Sequence, residues 1–266
     1  MINSNQGTVE VPMAFSIVAT PPGVVPKRVI AVDTGFEGGR SMTGNAFAHV
    51  ETIPTVLAKL GYSPADIDIV VLTHLHFDHA GNFNVFPNAE IIVQRVEFES
   101  WRTVIAGMED TTVGKRSWKL SSIDVSLIER FAAAVAAGRI TLLDGDKEIA
   151  PGIFCRLAQD SHTFGSQWVE VRTPEGPYVV AGDCVYWYMN IERMWPPGYV
   201  QGNPWNLMRT FEQLRDLVGA DRIDRVVPGH DMEIYRRHPS WTVGENPVAE
   251  IHLAAGERSR RKELAS

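Results

Sequence analysis

The sequence predicts an α/β protein in which two β-rich halves are each covered by helices. Three observations lead there. Short apolar runs of strand type alternate with helix-type segments along the chain, without the even spacing of a barrel. The run "IDIVVLT" (67–73) is apolar almost without a break, as a strand covered on both faces requires. Histidines and aspartates fall directly behind such runs, where the loops of an α/β sheet collect function.

The elements follow in order. Strands are expected from Val9 to Thr20 and in "RVIAVDTG" from Arg28. A helix is expected from about Glu51 to Leu60, stopped by Gly61, with Pro64 opening a short turn. The buried strand 67–73 comes next, then "AEIIVQ" (89–94). Residues 95–140 read as a helical, variable insert carrying Trp101, Met108 and Trp118. Strands return at "ITLLDG", "IFCRLA" and "SQWVEVRT", and the turn "PEGP" leads into "YVVAGD" (178–183). An aromatic loop, "YWYMNIERMWPPGYVQGNPW", precedes a helix near Asn206 to Val218. The strand "RVVPG" then delivers His230, and the tail from Ser259 reads as a solvated, frayed basic end. No internal repeat or low-complexity tract interrupts this, so residues 1–266 are expected to form one domain.

Bulk properties narrow the function. At 266 residues with 44% apolar and 21% charged side chains, the chain has the make-up of a globular enzyme. A net charge of −7 and a pI near 5.6 disfavour nucleic acid and anionic membranes as partners. Cys155 and Cys184 are the only cysteines, so no disulfide framework organises the fold and a reducing compartment is expected. The N-terminus lacks the basic start and apolar run of a signal peptide, and no stretch approaches a membrane span. The expected location is the cytoplasm.

Residues 70–82, "VVLTHLHFDHAGN", hold the densest chemistry. His74 and His76 are two apart, so on an extended segment both rings point one way. Asp78 and His79 follow where the chain turns. His162 in "DSHTFGSQ", Asp183 in "VVAGDCVY" and His230 in "VVPGHD" lie at the ends of later apolar strands. One histidine at a strand end would read as a cap or a core residue. The H-x-H-x-D-H cluster with three further strand-end ligands reads as a metal site. Imidazole and carboxylate suit zinc and its first-row neighbours, and seven donors exceed what one tetrahedral ion takes. Two ions sharing a carboxylate account for all seven.

"THLHFDHAGN", "SHTFGSQ", "GD" and "PGH" together resemble the five motifs of the metallo-β-lactamase superfamily. The resemblance implies a four-layer αβ/βα sandwich with its site at the sheet edges. It implies one metal on His74, His76 and His162, a second on Asp78, His79 and His230, and Asp183 bridging. "AVDTG" also matches, and Asp33 within it is open to two roles: support of a ligand from behind, or capping of a turn. One departure stands out: Asp160 and Ser161 precede His162 where relatives usually carry Pro-Gly.

A water between two divalent cations ionises near neutral pH and attacks, so hydrolysis of an acyl or phosphoryl bond is expected, or a redox step in iron-bearing relatives. No G-x-S-x-G nucleophile elbow is present. Within the resemblance, His76 speaks against the flavodiiron branch, which typically has Glu there. Asp183 speaks against the β-lactamase branches that use a cysteine ligand; Cys184, one step on, reads as a small core residue. No added basic arm suggests an RNA-processing nuclease.

Glyoxalase-II-like thioesterases and N-acyl homoserine lactonases remain. In the lactonases a tyrosine three residues after the bridging Asp contacts the lactone carbonyl, a position held here by Tyr186. The leading expectation is therefore a dinuclear zinc lactonase, with iron, manganese or cobalt as other metals. Asp78 is expected to protonate the leaving alkoxide, and the substrate to be a hydrophobic or aromatic lactone. Hydrolysis of a thioester, an amide or an activated aromatic on the same metals is the alternative, and a non-catalytic metal-binding sensor is a third. Trp187, Tyr188, Met189, Met194 and Trp195 read equally as pocket wall or core filler, and Trp101, Met108 and Trp118 as residues closing over the same pocket. His49, His238 and His252 receive no role. The resemblance admits a homodimer, with no interface legible in the sequence.

Overall fold

A computed structural model describes residues 11–36, 47, 50–108 and 120–254. Its first half forms a five-stranded sheet in the order β1 (Ser16–Ala19), β2 (Val29–Val32), β3 (Ile69–Val71), β4 (Glu90–Gln94) and β5 (Ile140–Leu143). β1 runs antiparallel to β2 and the other pairs are parallel. Three helices fill the crossovers: α1 (Ile53–Lys59), α3 (Arg95–Ala106) and α4 (Val125–Ala136), while the four-residue α2 (Phe77–Ala80) sits in the motif itself.

The second half forms a sheet in the order β10 (Val226–Pro228), β9 (Gly176–Gly182), β8 (Gly165–Thr173), β7 (Ile153–Gln159) and β6 (Lys147–Ala150). Here only β9 and β10 are parallel. α5 (Tyr188–Arg193) and α6 (Pro204–Val218) cover it. α7 (Ile234–Arg237) and the hairpin β11 (Ser240–Val243) with β12 (Asn246–Ala249) close the described chain.

The alternation of side chains builds the layers. In β3, Ile69 and Val71 face a core shared with Ile30, Val32 and Ile92 on one sheet and Ile153, Cys155 and Val169 on the other. Val70, between them, joins the opposite core with Leu57, Phe98, Trp101 and Phe131 from the helices. Val179 and Ala181 of β9 face Leu207, Phe211 and Leu214 of α6. The result is the four-layer αβ/βα sandwich. Truncating one of these inter-sheet isoleucines to alanine costs about 2–5 kcal/mol.

Local signals set the element ends. Thr52 caps α1 by accepting the Thr55 amide, and Gly61 takes φ +74° just past the helix. Asn203 caps α6 with Pro204 in its first position. Close to the site the two sheets are stitched by buried amides. Gln94 donates to Gln167 Oε1 at 2.8 Å, and Gln167 donates from Nε2 to the Leu72 carbonyl at 2.8 Å.

Three expectations change. The first strand begins at Ser16, because the chain around Pro12 turns toward the site instead of pairing. The hairpin 240–249 was not expected; it docks on α1 through Lys59, which donates to the Val243 carbonyl at 3.0 Å. β6, a four-residue edge strand, was also unread. His49, Trp118, Val9, Glu10 and the tail from Ser259 lie outside the described residues.

Candidate metal centre

The strand ends of both sheets converge on one spot. β3 hands over to His74, Leu75 and His76, and His76, extended, stands at the N-terminus of α2, whose first turn carries Asp78 and His79. His162 sits in the β7–β8 connection, Asp183 directly after β9, and His230 two residues after β10. The seven side chains form two groups, His74, His76, His162 and Asp183 on one side and Asp78, His79 and His230 on the other.

Asp183 divides its oxygens between them. Oδ2 lies 3.2 Å from His162 Nε2 and 3.7 Å from His74 Nε2. Oδ1 lies 3.1 Å from His79 Nε2 and 3.0 Å from His230 Nε2. Asp78 Oδ2 stands 3.8 and 3.7 Å from the same two nitrogens. Gly229 is required here, because a Cβ would fall 2.6 Å from Asp183 Oδ1.

The outward nitrogens decide what the inward ones offer. His79 Nδ1 faces the Asp33 carboxylate at 2.8 Å, His230 Nδ1 the Pro12 carbonyl at 2.9 Å, and His76 Nε2 the Gln201 Oε1 at 2.6 Å. All three partners are acceptors, so each of those nitrogens carries the proton and the opposite nitrogen presents a lone pair to the centre. His74 Nδ1 meets the Thr73 hydroxyl at 3.0 Å. Inward nitrogens then crowd together: His76 Nδ1 is 3.3 Å from His162 Nε2, and the lone pairs of His79 Nε2 and His230 Nε2 face each other at 3.3 Å. His74 Nε2 and Asp183 Oδ1 are buried without a hydrogen-bond partner. Converging nitrogens in a dry setting, four of the five rings braced from behind and His162 Nδ1 without a partner, fit divalent cations of the zinc type.

Electrostatics point the same way. Burial, reinforced by neighbouring imidazoles, drives His74 and His76 well below the usual histidine range. Burial opposes charge at His79 and His230 too, but carboxylates outweigh it. Asp183 leads in both cases, and both rings are raised. Asp183 is held well down despite its burial, by His230, His79 and His162. The carboxylates thus favour positive charge at His79 and His230, while burial keeps His74 and His76 neutral.

Of the two roles open to Asp33, the structure shows support of a ligand from behind, with a tie to the end of β3 in place of a local turn cap. At φ +65° it accepts the Thr73 amide at 2.7 Å and hydroxyl at 2.9 Å while holding His79. Asp160 sits at φ +49°, a conformation aspartate tolerates, and its carbonyl accepts the Asn203 amide at 3.0 Å, fastening the His162 turn to α6.

The aromatic residues separate by position. Tyr186 stands 4.8 Å from the His230 ring and 5.4 Å from that of His162. Burial, together with Asp183 and Asp78, pushes its phenol well up, so it stays a hydrogen-bond donor at neutral pH. Tyr188 is core, packed under α6, and Trp195 is surface. Trp101 does not close over the centre. It is buried behind His76, 6.1 Å ring to ring, and Met108 packs in the helix–sheet core. Cys184 is buried beside Asp183, its thiol pushed up to about 12 by burial. Tyr199, 6.2 Å from His76 and hydrogen-bonded to Ser121, and Gln201 were missed. Their only signal is membership of the aromatic loop. His238, unassigned from sequence, approaches the Tyr188 hydroxyl at 3.5 Å, away from the centre.

Comparison with known proteins agrees with this geometry. Residues 24–230 match the model of the family described as the metallo-beta-lactamase superfamily. The chain is 27% identical over 218 residues to an N-acyl homoserine lactonase of Bacillus sp, covering 77% of each protein. It superposes with TM-score 0.60 and 22% identity on Bacillus thuringiensis AiiA with N-decanoyl-L-homoserine bound at its active site, over 90% of this chain and 87% of that one. With AidC, a dizinc quorum-quenching lactonase solved with its N-hexanoyl-homoserine product, the TM-score is 0.57 and identity 18%, over 88% of this chain and 78% of that one.

Proposed function

Since the chain belongs to the metallo-beta-lactamase superfamily, we propose that it is a metal-dependent hydrolase that opens a lactone ring with a pair of divalent cations. His74, His76 and His162 would hold one and Asp78, His79 and His230 the other, with Asp183 offering an oxygen to each group. One observation carries the reading: Asp183 directs one oxygen to each group while three braced imidazoles turn their lone pairs inward. When bound, such a pair lowers the pKa of water and polarises a carbonyl. Zinc fits the donor set best, and the dizinc neighbour supports it; iron, manganese and cobalt suit the same donors.

The chain's own groups supply the rest. Tyr186, kept as a phenol, donates a hydrogen bond to the lactone carbonyl oxygen as it gains charge. Asp78 Oδ2 takes up the proton that the attacking water gives off and delivers it to the ring oxygen as the C–O bond breaks, leaving a hydroxy acid. Tyr186 and Tyr199 give the centre aromatic walls, which favours a hydrophobic or aromatic lactone; the N-decanoyl-L-homoserine bound by AiiA supports that class, and the quorum-quenching lactonase AidC supports a role in quorum quenching.

We read the chain as one domain with residues 95–140 as its helical insert. Among the described residues no helix is long and apolar enough to cross a membrane. Two buried free thiols support a cytoplasmic location.

A pH-stat survey of the metal-loaded protein tests the activity. Ring-opening of acyl homoserine or aromatic lactones is expected to exceed hydrolysis of S-lactoylglutathione by a wide margin. Preference for the thioester would replace the lactonase reading with a thioesterase one. Full metal loading with no hydrolysis across the panel would leave a binding protein.

A further inference from the structure

We propose that Glu97 is a positioning residue that clasps the two loops of the first ligand group and tunes that group independently of the second; this rests on reading the site as a dinuclear metal centre. Glu97 lies in the first turn of α3 and is fully buried. No lysine or arginine pairs with it among the described residues. Its carboxylate accepts four hydrogen bonds instead. Oε1 takes the Leu75 amide at 3.1 Å and Trp101 Nε1 at 2.7 Å. Oε2 takes the Thr163 hydroxyl at 2.8 Å and the Gly165 amide at 2.7 Å.

The donors carry the inference. Leu75 is the residue between His74 and His76, and Thr163 follows His162, so one anion fastens both loops that supply this group's imidazoles. Trp101, one turn along α3, fixes the carboxylate and backs the His76 ring. Gly165 lets loop and helix touch, since a Cβ there would lie 2.5 Å from the Glu97 amide nitrogen. An isolated buried carboxylate is costly and is tolerated where several donors reach it. Only a carboxylate presents two oxygens that accept and never donate, so no neutral side chain of this size serves four donors. The amide of glutamine would turn an N–H toward one pair. None of these bonds reaches Asp78, His79 or His230.

The test is metal release from the full chain loaded with two equivalents of zinc and challenged with a chromogenic chelator. Glu97→Gln is expected to release one equivalent at least about tenfold faster than the unmodified protein, the scale of an outer-layer change, while the other keeps its rate. Adding His162→Ala should then remove the fast equivalent, and adding His230→Ala the slow one. Thr163→Val, which deletes a single donor, should give the same selectivity at smaller size and serves if Glu97→Gln does not fold. A merely structural Glu97 would lower the melting midpoint of the metal-free protein and speed both equivalents alike. That outcome, or unchanged release of both, would overturn the proposal. An unmodified protein that takes up no zinc would defeat the metal reading first, before any variant is made.

Discussion

The two ligand groups share Asp183 and differ in how they are held. The first is closed: His74, His76 and His162 are buried, and its braces, Thr73, Glu97 and Gln201, sit in the loops and helix packed directly against it. The second is open at one corner, where Asp78 keeps 11% of its side chain exposed, and its braces are Asp33 after β2 and the Pro12 carbonyl before β1. A rigid, dry group suits tight retention of a cation. An open group with a carboxylate at its rim suits the exchange of water, proton and substrate, and Tyr186 stands between the two, against His162 and His230.

The shared carboxylate is where the difference should vanish. Asp183→Asn removes the negative charge that both groups share, and at one of them it replaces the oxygen with an N–H that cannot ligate a cation and hydrogen-bonds to the facing imidazole lone pairs instead. Both metal equivalents should weaken, and kcat/KM for a lactone substrate should fall more than about a hundredfold, beyond the 10–100-fold of outer-layer changes. Retention of both metals with full activity would show that the groups do not depend on a bridge.

Asp33→Asn should separate them. Asp33 Oδ2 receives both the Thr73 hydroxyl and His79 Nδ1, while Oδ1 receives the Thr73 amide. Either orientation of an asparagine amide points an N–H at a donor. Relief at His79 requires its other tautomer, which puts a proton on the nitrogen facing Asp183. Affinity for the equivalent held by His79 should drop about 10–100-fold, with a smaller loss at the other, which Asp33 reaches only through Thr73 and His74, as isothermal titration with zinc can resolve. An equal loss at both would erase the distinction.

Tyr186→Phe should touch neither group's metal. The phenol is proposed to act on the substrate, so zinc content should stay at two while kcat falls, by about tenfold or more given that an oxyanion donor is commonly worth a hundredfold. Unchanged kinetics would remove Tyr186 from the reaction and leave it as wall.

The contrast between the groups also explains what the sequence revealed. His74, His76, Asp78 and His79 crowd one short stretch behind an apolar strand, and His162, Asp183 and His230 repeat that placement, so local pattern sufficed to gather seven residues. Two helix-covered β-rich halves were legible for a related reason, since β3 reads apolar on both faces and meets a core on each, while the four-layer sandwich itself came with the family resemblance. The braces were not legible. Pro12 lies 218 residues from His230 and Gln201 lies 125 from His76, and neither residue type advertises a ligand's partner. Glu97 reads as one charge on an amphipathic helix until the fold turns it inward. Trp101 misled for the same reason: an aromatic in a variable insert suggested a lid, whereas its indole N–H is committed to Glu97 in the core.

Gln201 offers the finest discrimination. Its Oε1 holds His76 in the tautomer that presents Nδ1 to the first group, through one short hydrogen bond from a half-buried loop residue. Gln201→Leu removes that acceptor from the closed group, which the comparison predicts to be the more tightly organised. Because Gln201 stands near solvent, a water can take its place as acceptor and return much of the lost orientation. The expected result is therefore a severalfold faster release of one equivalent, below the range of Asp33→Asn, with lactone turnover reduced in proportion to metal lost and recovered by excess zinc. A loss as large as that of Asp33→Asn would mean that the closed group owes its order to this loop more than to the buried strand ends, and would reverse the ranking of the two.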